Sequence, residues 1–429
     1  MRRLRDEVDD LERRLLSMLD GGARAERVGW RELRRAIPDD AAFIDLLVFD
    51  RHRAPEAAGD TPPGALEVVP SLMAYVVRPG TDRVMRRVVG RLDELEADVA
   101  RIVGGVSAGR GRPALPAVLP SGREAASALY RRLFEPYEEL LEGVEHVIVS
   151  PDRFVGAVPF GALRDGEGRY LVERFRFSYV SDAGLLCELA ATDRRDGGGG
   201  VLAVGDVDYG RGDDWAPLPG TSRELDDLAR RFADVEVLRG ADATAAALRE
   251  RLPAARIAHL ATHGFFVGRP RPAATGATVR RGLHEALLED APPGARAGLV
   301  LAGGNDRDAD AVLSADEVGW LPLSGVDLVV LSACSTGLGT AFGGEGMQSL
   351  QRAFHVAGAR TVVASLWKVD DAATADLMKV FYRARFDEGM STAEALRTAR
   401  LDLLERNRAA FGDARPATWG AFVLSGDWR

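Results

Sequence analysis

RIAHLATHGFF (Arg256–Phe266) and VDLVVLSACSTGLG (Val326–Gly339) decide how this chain is read. Each opens on an apolar run of strand length and ends on a reactive side chain among small residues. The first run ends at His263-Gly264, and the second carries Cys334 at its tip. Short continuous Val/Leu/Ile runs bounded by turn residues are expected to be strands buried on both faces. In sheets of that kind, reactive groups sit beyond the carboxyl ends of the strands. A thiol and an imidazole brought to neighbouring strand ends are the two groups of a cysteine nucleophile and its base.

The surrounding sequence repeats the pattern. From Val201 onward, strands (VLAVGD, DVEVLRG, RIAHLATH, VDLVVLSA, GARTVVASLW) alternate with helices, among them TSRELDDLARRF, ATAAALRERL, MQSLQRAFHVAG and DAATADLMKVFYRARFDEG. Thr221 or Ser222 caps the first helix, with Glu224 as capping-box partner. This alternation predicts a mostly parallel sheet covered by helices on both faces over residues 200–429. Residues 121–199 read as a small α+β subdomain, with a helix over Glu124–Leu141, the strand HVIVSP (His146–Pro151), then FVGAVPFGAL and RYLVERFRFSYV. It closes on the linker DRRDGGGG (Asp193–Gly200). Residues 1–120 form a helical/α+β N-terminal region. There Leu4, Val8, Leu11, Leu15 and Leu19 recur at helical spacing as a packing face. Strands are expected over Ala41–Asp50 and Ser71–Gly80, separated by the loop Ala54–Ala65, and a helix over Val84–Val103. The Gly/Pro/Ala-rich stretch Gly104–Gly122 marks the first boundary.

Composition narrows the functional classes. The 429 residues carry a net charge of −9, which argues against a nucleic-acid binder working through a basic surface. Only Lys368 and Lys379 are lysines among 56 basic residues, a codon-usage signature without functional weight. Cys187 and Cys334 are too few for a disulfide framework, and a thiol that must stay reduced suits the cytoplasm. The charged opening MRRLRDEVDDLERR is not a signal peptide, and no run approaches the roughly 18 to 20 apolar residues of a membrane span.

The chemistry of the two strand ends can be stated further. An adjacent imidazole activates a thiol that is otherwise only a few per cent ionised at neutral pH. His263 would take the Cys334 proton and return it to a leaving amine. Gly264 lets a backbone N–H approach a tetrahedral oxyanion, with the Cys334 N–H as second donor. The small-residue stretch Ser335–Gly346 leaves room for a substrate chain. Competing motifs fail. GLGTAF has only Gly337 and Gly339 and lacks the third glycine of a dinucleotide fingerprint. His259 and His263 have the spacing of helical zinc ligands, but they lie in a strand run, so neither metal nor cofactor is expected. Cys187, in GLLCELAA, and His355, in QRAFHVAG, read as core.

With those residues in place the chain resembles the CHAT domain, a caspase-like peptidase family related to separase. VPFGALRD, LPGTSRELDDLA, HLATHGFF, LVVLSACSTGLG, GEGMQSLQRAFHVAGARTVVASLWKVDDAATADLM and TWGAFVLSGD carry the resemblance, in the family's order, across Ala125–Trp428. It implies a caspase-like three-layer α/β/α sandwich, with His263 as general base and Cys334 as nucleophile of an endopeptidase. It implies a short or stand-alone form, since residues before about 120 show no recognisable repeat. Ser335 departs from the acidic residue that often follows the cysteine in the family. The resemblance further implies that Ser365–Asp371 (SLWKVDD), including Ser365 and Trp367, lines the substrate. By similarity to separase, Asp370 or Asp371 takes a basic side chain preceding the cut bond, and Asp206 is a second candidate. Asp371 has an equal competing reading as the N-cap of the helix that follows. Family context implies a bacterial defence module, a regulatory protein partner, and a protein substrate such as a gasdermin-like pore former or another neighbour-encoded effector. The rival classes are a catalytically idle scaffold, which the Leu4–Leu19 face fits best, and another thiol hydrolase or acyl transferase. The Arg-rich stretch Gly268–Gly282 reads as a solvated loop.

Overall fold

The computed structural model describes residues 28–53, 66–81, 83–107, 120–192, 199–266, 293–306, 309–332, 334–335, 344–367 and 369–429. The Leu4–Leu19 stripe and the loops at 54–65 and 268–282 lie outside them, as do most of the stretches at 104–122, 193–200 and 335–346. In chain order the strands are β1 (Ala41–Arg53), β2 (Glu67–Val77), β3 (Met85–Arg91), β4 (His146–Ser150) and β5 (Arg176–Tyr179). Then come β6 (Val201–Val207), β7 (Val235–Gly240), β8 (Ile257–Leu260), β9 (His263–Phe266) and β10 (Ala297–Val300). The last are β11 (Val312–Ser314), β12 (Leu328–Leu331), β13 (Cys334–Ser335), β14 (Thr361–Ser365) and β15 (Phe422–Gly426). One large sheet runs β3-β2-β1-β4-β5-β15-β14-β12-β8-β6-β7, and a small one runs β11-β10-β9-β13. The large sheet is mostly parallel; its antiparallel pairs are β3–β2, β2–β1 and β15–β14.

Alternation along the strands sorts the core into two layers. Val330, Val363, Ala203 and Ile257 belong to one apolar cluster, together with Leu225, Leu228, Leu377, Phe381, Leu396 and Leu403 from helices Pro219–Arg231, Asp371–Tyr382 and Thr392–Phe411. Their strand neighbours Val329, Leu331, Val362, Ala364, Leu202 and Leu260 belong to a second cluster. Leu248, Val318, Leu350 and Phe354 join that cluster from helices Ala245–Arg251, Ala315–Gly319 and Gly344–Val356. This is the expected three-layer α/β/α sandwich. The N-terminal strands extend the same sheet, because β1 pairs parallel with β4 through Ala41↔His146 to Asp45↔Ser150.

Three local expectations are corrected. The first helix of the alternation starts at Pro219 with Leu218 as its N-cap, so Thr221, Ser222 and Glu224 lie inside it and none of them caps it. The helix placed over Val84–Val103 is strand β3 followed by a helix from Leu92 to Ser107. Val88 and Val89 sit better on a pleated edge paired with β2 than on a helix, and the helix begins only where Asp93 and Glu94 favour its positive end. RIAHLATH is not one strand either. β8 ends at Leu260, and the chain re-pairs from His263 in the small sheet.

The base of the sheet makes a pH prediction. His146 is fully buried, its Nε2 is 2.8 Å from the Ser178 hydroxyl, and its ring lies edge-on to Trp428. Burial, helped by the Arg176 charge, pushes its pKa down to about 3. The unfolded chain therefore binds one more proton than the folded chain between that value and about 6.5. Stability contributed by the neutral ring is complete above pH 6.5 and is lost as pH falls, on the order of 5 kcal/mol over the whole window. Acid titration of the unfolding midpoint should show this slope, and His146→Gln should reduce proton uptake on unfolding near pH 5 by about one. An unchanged slope in the variant would rule the ring out as its source.

Candidate active site

β8 and β12 are parallel neighbours in the large sheet, with Leu260 opposite Leu331. Both chains then leave that sheet and meet again in the small one. There β13 pairs parallel with β9, Cys334 in register with His263 and Ser335 with Gly264. Neighbouring strands lie about 4.8 Å apart, so the backbone sets residue 334 directly beside residue 263. Gly264 pairs on its other side with Leu299 of β10.

The imidazole is tightly held. His263 is 1% exposed, and its Nε2 lies 2.7 Å from the carbonyl oxygen of Ala216. A carbonyl can only accept, so Nε2 carries the hydrogen and the lone pair is on Nδ1. Tyr209 and Trp215 wall the ring, with centroids at 4.9 and 5.3 Å. The His263 backbone N–H donates to the Tyr209 hydroxyl at 3.3 Å. That hydroxyl donates to Thr262 Oγ1 at 2.9 Å, and Thr262 donates onward to the Val300 carbonyl. Asn305 fixes the loop that supplies the orienting carbonyl: its Oδ1 accepts the Trp215 N–H at 2.9 Å, and its Nδ2 donates to the carbonyls of Trp215 and Gly212 at 3.0 and 3.2 Å. None of Tyr209, Trp215, Ala216 or Asn305 was singled out in the sequence. The available signal was two aromatics inside the otherwise Gly- and Asp-rich stretch DYGRGDDWAP (Asp208–Pro217).

The acidic candidates separate. Asp206, at the carboxyl end of β6, is exposed and has φ of 49°, a left-handed conformation that costs a non-glycine residue about 1 kcal/mol. Its N–H donates to Thr221 Oγ1 at 2.8 Å, and the Thr221 hydroxyl donates to the Leu218 carbonyl. Asp370 is the N-cap of helix Asp371–Tyr382, accepting from Ala372 and Ala373 N–H. The cap is thus Asp370, while Asp371 is the first helical residue and lies against Gly220, 3.5 Å from its N–H. Ser365 and Trp367 face the core at 0% and 4% exposure, and the Trp367 indole donates to the Ala417 carbonyl at 3.0 Å. Cys187 is buried, and desolvation with the Glu32 charge pushes its thiol up, the environment of an inert cysteine. His355 is spent on the Ala359 carbonyl and Ser425 hydroxyl, and burial lowers its pKa. Among the described residues, no helix is long and apolar enough to cross a membrane.

The fold is an α/β/α sandwich in which the small sheet beside it brings a cysteine and a histidine into register. The chain belongs to the CHAT domain family, whose model matches residues 123–427. Among solved structures it is similar to one of the separase–securin complex of Saccharomyces cerevisiae, with TM-score 0.48 and 8% identity over 92% of this chain. The chain spans only 30% of the separase-complex chain it matches. It is also similar to a structure of the Porphyromonas gingivalis RgpB pro- and mature domains, with TM-score 0.43 and 10% identity over 78% of this chain and 77% of that one. No curated protein matches the chain.

Proposed function

We propose that the protein is a cysteine endopeptidase working through a Cys334–His263 dyad. The observation that carries this reading is the β13–β9 register, which sets Cys334 beside a histidine whose Nε2 is committed to the Ala216 carbonyl. The Cys334 thiol gives its proton to His263 Nδ1, and the thiolate attacks a peptide carbonyl carbon. The oxyanion is received by the Gly264 and Cys334 N–H groups. Collapse breaks the C–N bond, His263 returns its proton to the departing amine, and a thioester remains. Water, deprotonated by the same nitrogen, attacks the thioester, and the sulfur leaves to restore the dyad.

Asp206 is the favoured partner of a basic side chain preceding the cut bond. It is exposed and held in strained backbone at the carboxyl end of β6, beside the strand that leads to His263, whereas Asp370 is occupied as a cap. A strained conformation kept at an exposed strand end is a recurrent feature of functional positions. A peptide library made from a digested proteome should be cut after Arg or Lys, and Asp206→Asn should weaken that preference about 10- to 100-fold. A wild-type pattern in the variant would remove Asp206 from the pocket.

Family resemblance supports a cytoplasmic bacterial enzyme in a defence module, with a gasdermin-like pore former or another neighbour-encoded protein as substrate. Co-expression of wild type and Cys334→Ala with each neighbour-encoded protein, followed by intact-mass analysis, tests this. A fragment seen only with wild type identifies substrate and cleavage site. Stable co-purification without any fragment favours the scaffold reading.

A further inference from the structure

Behind the dyad, on the sheet face covered by helices Pro219–Arg231 and Asp371–Tyr382, four buried polar side chains meet: Glu224, His259, Ser332 and Tyr382. Glu224 is 4% exposed, and its Oε2 accepts the Ser332 hydroxyl at 2.9 Å. His259 Nε2 lies 3.1 Å from the same oxygen, though off the line of a good hydrogen bond. His259 Nδ1 is 3.0 Å from the Tyr382 hydroxyl. Burial, then the Glu224 charge, holds the Tyr382 hydroxyl well above its ordinary pKa, so it stays protonated. A carboxylate oxygen can only accept, so the imidazole hydrogen sits on Nε2, toward Glu224, and Nδ1 accepts from the Tyr382 hydroxyl.

The placement along the chain gives the cluster its meaning. Ser332 directly follows β12 and stands two residues before Cys334, while His259 lies in β8, four residues before His263. One carboxylate oxygen thus touches both chains just before they leave the large sheet and re-pair as β13 and β9. We propose that Glu224 is a positioning residue of the dyad, tying the β12 exit to β8 so that Cys334 and His263 enter the small sheet in register. The assignment rests on the dyad reading above. Packing alone does not call for this residue: burying a carboxylate costs several kcal/mol, and an apolar side chain of the same length is often neutral or stabilising. A packing residue and a positioning residue therefore differ in what their removal changes.

The test reads Cys334 itself and needs no substrate. The rate of iodoacetamide alkylation at Cys334, assigned by peptide mapping, is followed against pH in the full-length protein. Wild type is compared with Glu224→Met, Glu224→Gln, Ser332→Ala and the Glu224→Met/Ser332→Ala pair, with melting temperatures measured alongside. Glu224→Met and Ser332→Ala should each slow alkylation near neutral pH about 10-fold while melting within a few degrees of wild type. Glu224→Gln, which keeps an acceptor, should recover part of the rate. The double variant should be no slower than either single one, because the tie is already cut. If Glu224→Met does not fold, Ser332→Ala decides alone. A wild-type alkylation profile in Ser332→Ala, or additive effects in the pair, overturns the assignment. His263→Ala in the same series separates the two readings. If it leaves the Cys334 profile unchanged, the dyad is wrong and this tie falls with it; if only the Glu224 and Ser332 variants leave it unchanged, the dyad stands without the tie.

Discussion

Cys334→Ala is expected to abolish proteolysis, and His263→Ala to lower it by about 10³-fold, in a fold that survives both changes. The cysteine variant has no nucleophile and leaves only water to attack. The histidine variant keeps the thiol but loses the group that raises its thiolate fraction and protonates the leaving amine, roles typically worth about 10² to 10⁴ in rate. The walls around His263 predict a further distinction. Tyr209 and Trp215 enclose the ring, so His263→Ala leaves a cavity, whereas His263→Gln fills part of it without supplying a base. Both should be equally inactive, and Gln should melt higher. Cys187→Ser serves as the internal control: that thiol is buried with a raised pKa and should be dispensable. Cleavage products of the peptide library, quantified by mass spectrometry, give the comparison. More than a tenth of wild-type activity in His263→Ala would remove the histidine from the mechanism.

What the sequence shows about this protein depends on the range of the interaction involved. The sandwich was legible because runs such as LVVL and TVVAS are buried on both faces, and that burial leaves a composition signal within single strands. The nearness of His263 and Cys334 was legible because each follows a strand-length apolar run, where reactive side chains are uncommon. β3 was not: an edge strand with one covered face carries a weak pattern, and MRRVVGR followed by LDELEADV merges with the helix after it. The break after Leu260 was equally hidden, since HLATHG continues to look like a strand, and only pairing with β10 and β13 shows that His263 belongs to another sheet. The groups that hold the histidine were illegible for a stronger reason. Ala216 acts through a backbone carbonyl, which no side-chain motif encodes, and Asn305 reaches Trp215 across 90 positions of sequence. The acidic candidates mixed two jobs that look alike in one dimension. Asp370 and Asp371 stand side by side, and only the geometry assigns the cap to the first.

Gly220→Val is expected to cost about 3 kcal/mol of stability and to disturb the proposed substrate rim at Asp206 with it. Gly220 is the second residue of helix Pro219–Arg231 and packs against the start of helix Asp371–Tyr382. A Cβ at this position would stand 2.4 Å from the Asp371 Cβ and 2.8 Å from its carbonyl oxygen. Those are fixed atoms, and no rotamer change relieves the overlap, so the two helices must move apart. They carry Leu225, Leu228, Leu377 and Phe381 into one apolar cluster, and separating them opens that cluster. The same shift displaces Thr221, whose hydroxyl holds the Asp206 N–H and the Leu218 carbonyl, and so releases the left-handed turn that presents Asp206. The melting temperature should fall by about 5 °C or more. At a temperature where the variant is still folded, cleavage after Arg or Lys should fall further than Cys334 alkylation, because the rim is disturbed more than the dyad. Gly220→Ala should move both readouts in the same direction by less. A Gly220→Val protein that melts with wild type would show that the helices can separate there without loss. Equal losses in cleavage and alkylation would instead place the damage at the dyad, through Glu224 on the same helix, rather than at Asp206.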